Sequence, residues 1–107
     1  MTVPVRKKRR RYLSFRVDCA RCLITKEILD SVQRRVLDLY GVQGLSQVEP
    51  VLIDFDEDAQ TGVLRSNRDR IRSLRAALSL ITEVGGTPAA VRVCRTSGTI
   101  RSLKKKI

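Results

Sequence analysis

Hydrophobic periodicity along the 107-residue chain switches from two to about 3.6 and back, twice over, and this double switch most restricts what the chain can fold into. From Tyr12 to Asp18 the residues alternate, with Leu13, Phe15 and Val17 on one face and Tyr12, Ser14, Arg16 and Asp18 on the other, the form of a half-buried strand. After a turn through Cys19 to Cys22, Thr25 is placed to cap a helix with Glu27 in its first turn. Ile28, Leu29, Val32, Val36, Leu39 and Tyr40 share one helical face, and Gly41 ends the helix. A loop with Gly44 and Ser46 leads to a strand over about Val48 to Phe55, an acidic turn (Asp54, Asp56, Glu57, Asp58) and a strand from Gly62 to Ser66, together a hairpin. Ser66-Asn67-Arg68-Asp69 has capping-box form and opens a second helix with Ile71, Leu74, Ala77, Leu78 and Ile81 on its apolar face. Gly85-Gly86 and Pro88 stop it, and a last strand runs from Ala89 to Arg95.

The order β-α-β-β-α-β predicts an α+β sandwich of the ferredoxin-like, RNA-recognition-motif-like kind. It has a four-stranded antiparallel sheet with both helices on one face. The other face is expected to be open and to carry Tyr12, Ser14, Arg16, Arg92 and Cys94. The length allows one domain, read as residues 11–101 between a basic arm (1–10) and a basic tail (102–107).

Charge narrows the function. The chain carries 22 Lys+Arg against 11 Asp+Glu, a net +11. Residues 1–17 hold +7, residues 18–61 hold −5, and the remainder holds +9. Sixteen of the bases are Arg, whose planar fork suits bidentate phosphate contacts, so a polyphosphate partner, RNA or DNA, is expected. With no His, Ser-His-Asp, Cys-His and HExxH chemistries are excluded. No apolar run is long enough to span a bilayer, and a soluble, cytoplasmic protein is expected.

The mode of nucleic-acid binding is also constrained. An open sheet of this topology binds single strands through aromatics on its central strands, yet TGVLRSN before the second helix has none. Phosphate contacts or recognition of RNA shape are therefore expected over base stacking. Arg68, Arg72 and Arg75 fall at i, i+4 and i+7 beside the apolar face, with Arg65 just before them. They either snorkel over the core or bind phosphate or an acidic protein surface, and with only Asp69 nearby such a contact is favoured. Ser97-Gly98-Thr99, between Arg95 and Arg101, reads either as a simple turn or as one whose amides approach a phosphate. Cys19-Ala20-Arg21-Cys22 lacks the remaining ligands of a zinc site, even counting Cys94, and reads as ordinary thiols. The acidic turn matches no EF-hand spacing and reads as solvated.

RRRYLSFRV near the start, GVLRSNRD, RAALSLI and VRVCRTSGTIRSLKK at the end together resemble the archaeal and eukaryotic ribonuclease P protein component 2 family, from about Arg10 to Arg101. The compact form resembles the archaeal members. The resemblance implies a non-catalytic subunit of the ribonucleoprotein that removes 5′ leaders from precursor tRNA, in which an RNA performs the chemistry with Mg²⁺. It also implies a larger barrel-shaped protein partner, other ribonuclease P proteins, and pairs that associate further as dimers or heterotetramers. No cofactor is expected on this chain itself. The matching positions are Tyr12, Phe15 and Arg16; Leu64, Arg65 and Arg68; Arg75, Ala76, Ala77 and Leu78; and Ser97, Gly98, Thr99 and Ile100. With the flanking bases, they give an expected RNA-binding set of Arg9, Arg10, Arg11, Arg16, Arg65, Arg68, Arg72, Arg75, Ser97, Thr99 and Arg101, with no catalytic or metal-binding residue. Two other classes stay open: a generic RNA- or ribosome-binding module of the same fold, and a small acylphosphatase-like enzyme using Asn67 and Arg68. The second lacks the glycine-rich phosphate loop before the first helix.

Overall fold

The strand with the strongest alternation, Leu13-Phe15-Val17, lies inside the sheet, paired on both edges. A computed structural model describes residues 9–100. Its elements are β1 (Arg10–Cys19), α1 (Thr25–Val48), β2 (Val51–Asp56), β3 (Thr61–Asn67), a 3-10 turn (Arg68–Arg70), α2 (Ile71–Ser79), β4 (Glu83–Val84) and β5 (Thr87–Ser97). The strand order is β2-β3-β1-β5-β4, with every pair antiparallel. The sandwich is as expected except in strand count, which is five rather than four.

The fifth strand explains itself. Gly85 and Gly86 both have positive φ, 57° and 79°, as a two-residue hairpin turn of the kind that matches strand twist requires. They join Val84 to Thr87 rather than stopping a helix. Pro88 therefore lies inside β5, paired with Glu83. Helix α2 has already ended at Ser79, though Ile81 is still buried just beyond it.

One sheet face holds Leu13, Phe15 and Val17 opposite Leu64, Gly62, Val93 and Val91, under the helices. Ile28, Val32, Val36 and Val48 of α1 and Leu74, Ala77 and Leu78 of α2 complete the core. Phe15 and Phe55 stack at 6.0 Å across Gly62, where a Cβ would fall 2.7 Å from the Phe15 ring and 2.6 Å from the Asp54 carbonyl. Only glycine lets the two rings close over that position.

Local boundaries depart from expectation for identifiable reasons. Ile24, not Thr25, is the N-cap of α1; the Glu27 carboxylate accepts its amide, while the Thr25 amide and hydroxyl both donate to Glu57. Gly41 (φ 75°, ψ −176°) breaks α1 without ending it, and the expected loop through Gly44 and Ser46 is helical up to Val48. Val48 is thus the buried end of a helix, and β2 begins only after Pro50. Leu39 and Tyr40, just before the kink, are 40% and 37% exposed, away from their expected place in the core. No capping box forms at Ser66: this residue is buried in β3, its hydroxyl donating to the Asn67 carbonyl, and a 3-10 turn precedes α2. Arg10 belongs to β1 rather than to the arm, and the remaining arm residues 1–8 and the tail lie outside the described residues.

Candidate nucleic-acid interface

Strand register decides which basic residues meet. Tyr12 is opposite both Arg65 and Ser97, Arg10 is opposite Asn67, and Arg95 is opposite Ser14. The start of β1 and the ends of β3 and β5 therefore share one end of the sheet. The Arg68 amide donates to the Arg9 carbonyl at 3.0 Å, which fixes the 3-10 turn there. Arg11, on the inner face opposite Ser66, reaches toward Gly98. The Thr99 amide donates to the Ser97 hydroxyl at 3.2 Å, shaping the turn after β5.

Arg9, Arg10, Arg11, Arg65, Arg68, Ser97 and Thr99 from the expected set thus gather at one end. Arg101 lies outside the described residues. Arg16 is on the open face but further along, where it and Arg92 share Asp18 (3.7 and 2.8 Å) and lose part of their field. Arg72 and Arg75 are exposed on α2; Arg68 precedes that helix, so the expected three-residue stripe is reduced to these two.

Two residues at the basic end are missing from the expected RNA-binding set. Arg95 faces the open side because a β-bulge between Ser14 and Phe15 of the β1 register puts Cys94 out of phase. Arg70 closes the 3-10 turn. Among the described residues no ion pair joins Arg9, Arg10, Arg11, Arg65, Arg68, Arg70 or Arg95 to a carboxylate. Tyr12 is the one aromatic side chain on the open face, since Phe15 and Phe55 are in the core and Tyr40 is on α1. That arrangement suits phosphate contacts and offers no base-stacking platform.

The opposite end, about 30 Å away along the ten residues of β1, has the other sign. Asp18, Asp56, Glu57, Asp58, Glu27 and Glu83 collect there against Arg21, Lys26 and the two arginines that share Asp18, Arg16 and Arg92. Arg21 is a structural clamp: its guanidinium donates to both Glu27 oxygens (3.0 and 2.6 Å), to Thr87 Oγ1 (2.8 Å) and to the Gly85 carbonyl (3.3 Å). The hydrogen bonds from Arg21 and then from the Ile24 amide hold the Glu27 carboxyl below its ordinary range, and Glu27 in turn raises Arg21. Gln60 ties the neighbouring turns together by accepting from the Leu23 amide and donating to its carbonyl.

A cavity of about 540 Å³ lies at this end against α1 and is lined by Glu27, Asp30, Asp38 and Glu83 with Arg34 and Arg35. Four carboxylates against two guanidiniums make it a poor phosphate site. Another, of about 310 Å³, lies beside Arg70.

The remaining motifs resolve similarly. Cys19 is half-buried and Cys22 exposed, both free. Cys19 is opposite Ala89, so Cys94 lies about 16 Å further along β5 and cannot join them at a metal. Among the described residues no group of three or more His, Cys, Asp or Glu is placed to hold a metal ion. Asn67 and Arg68 sit at the opposite end of the sheet from the turn before α1, so they cannot complete an acylphosphatase-like phosphate cradle there. No described helix is long and apolar enough to cross a membrane.

Residues 11–107 match the Rpp14/Pop5 family. Ribonuclease P protein component 2 of Thermococcus gammatolerans is 36% identical over 96% of this chain and 86% of its own length. The corresponding proteins of Pyrococcus furiosus and Methanocaldococcus jannaschii are each 32% identical over 96% of this chain, covering 86% and 75% of theirs. A chain in the cryo-EM structure of yeast ribonuclease MRP superposes with a TM-score of 0.71 at 14% identity, covering 90% of this chain and 79% of that one, a likeness of fold.

Proposed function

The chain belongs to the Rpp14/Pop5 family, and on that premise we propose that it is a non-catalytic protein subunit of ribonuclease P, acting in removal of the 5′ leader from precursor tRNA. The observation that carries the reading is the gathering of Arg9, Arg10, Arg11, Arg65, Arg68, Arg70 and Arg95 at one end, without carboxylate partners among the described residues.

The mechanism is electrostatic. Arginine forks placed against crowded phosphates release condensed cations and stabilise the compact RNA. The folded, active RNA is then populated at lower Mg²⁺. Bond cleavage belongs to the RNA and its Mg²⁺, and no side chain of this chain takes part in it. The acidic end points away from the RNA, leaving α1 and the β4–β5 hairpin for protein neighbours in the particle. Among these neighbours are a larger barrel-shaped subunit and, through association of two such pairs, a second copy of this chain. The particle works in the cytoplasm.

Reconstitution tests the assignment. Precursor tRNA cleavage by the cognate RNA with the partner subunit is measured at low Mg²⁺, with and without this protein. The expected result is a clear gain in rate on adding it; equal rates would remove the assignment.

A further inference from the structure

The 310 Å³ cavity is at the small end of the roughly 300–1,000 Å³ range of ligand sites. It lies where the C-terminal part of α1 meets the start of α2, and its lining includes Tyr40, Gln43, Gln47, Arg70 and Ser73. Each wall has a local cause. Tyr40 stands just before the break at Gly41, and its hydroxyl donates to the Ser73 carbonyl at 3.0 Å, which fixes the ring between the helices. Gln43 and Gln47, at i and i+4, share one helical face. The Gln47 carbonyl accepts from Asn67, which anchors this part of α1 to the end of β3 at the basic end. Neither glutamine side-chain amide is hydrogen-bonded among the described residues, and Arg70 has no carboxylate there either.

We propose that this cavity receives a single unpaired nucleobase of the bound RNA. The chemistry matches the constellation: an aromatic wall for a π-face, two amides that each offer a donor and an acceptor to a base edge, and a guanidinium for the adjoining phosphate. A paired helix presents no free Watson–Crick edge, so the base comes from a loop, bulge or end. The sheet face reads phosphates without sequence, whereas this pocket supplies a point of base preference beside it. It thus deepens the ribonuclease P reading and rests on it.

The test uses the isotopically labelled full chain, titrated separately with AMP, GMP, CMP, UMP and ribose 5-phosphate while the side-chain amide resonances of Gln43 and Gln47 are followed by NMR. Saturable shifts with one nucleotide preferred over the others, and none with ribose 5-phosphate, are expected. The double variant Gln43→Ala/Gln47→Ala changes two exposed helical residues and should weaken the preferred nucleotide by about tenfold or more, the scale of one bidentate base contact. It should keep the wild-type salt dependence of RNA binding. Amides that do not move, or that move equally with ribose 5-phosphate, overturn the pocket and leave the arginine interface standing. Loss of the interface itself is read independently, from arginine variants that leave the pocket glutamines in place.

Discussion

Replacing Arg65, Arg68 and Arg95 together by Gln removes three guanidiniums from the basic end while keeping polar side chains of moderate length. Arg65 and Arg95 are half-exposed on the open face and Arg68 is exposed, so the core is not altered. If each meets one phosphate, three fewer counterions are released on binding. The slope of log K against log salt should then flatten by about 2 to 3, at roughly 0.7 to 0.9 per phosphate. Raising salt from about 50 to about 200 mM should accordingly cost the variant about 20- to 40-fold less affinity than the wild type loses. Fluorescence anisotropy with the cognate RNA over a salt series measures both slopes. Arg34→Gln with Arg35→Gln is the control, because those residues line the acid-rich cavity. Equal flattening by both sets of substitutions would mean that the net charge acts at a distance, and would refute a localised interface.

Three further outcomes follow from the scaffold. Glu27 should titrate below the ordinary glutamate range by carbon-detected NMR, and Arg21→Ala should bring it back up. Because the folded value is the lower one, this contribution to stability is complete above the unfolded value and fades as the pH falls through the folded one. Gly86→Ala meets no atom within 4 Å and should cost only the left-handed penalty of about 1–2 kcal/mol, whereas a methyl at Gly85 falls on the Glu27 carboxylate and the Arg21 guanidinium. Gly85→Ala should therefore unfold at lower denaturant than Gly86→Ala and also release Glu27; equal midpoints would show that the clamp is unimportant. Leu74→Ala, at a fully buried site, should cost about 2–5 kcal/mol in denaturant unfolding, and a loss well under that would mean that α2 is loosely packed.

The layered architecture was legible because each principal element announces its period: Leu13, Phe15 and Val17 by alternation, and Leu74, Ala77 and Leu78 by helical spacing. Strand β4 was not, since two residues cannot display alternation and a Gly-Gly pair serves equally as a helix stop or a hairpin turn. Likewise the expected helix end at Gly41 proved to be a kink, because nothing local in Val42 to Val48 distinguishes a resumed helix from a loop. Most of the basic residues were legible one by one, Arg70 and Arg95 excepted. Their assembly was not, because register alone places Arg65 beside Tyr12 and Ser97, and a bulge sets the side on which Arg95 emerges. For the same reason Arg16, attractive in sequence, turned out to share Asp18 with Arg92.

The basic end is placed against the RNA and the acidic end away from it, and the chain's own cysteines allow a direct measurement of that orientation. An iron chelate is tethered at Thr99→Cys beside the arginines, or at the exposed native Cys22 near the Arg21 clamp, each in a chain whose other cysteines are serine. Hydroxyl radicals are then generated in the reconstituted particle and the RNA cleavage pattern is mapped. Strong, localised strand scission from the Thr99→Cys probe and little from Cys22 is the result expected. Scission that is equal from both positions, or stronger from Cys22, would contradict the account.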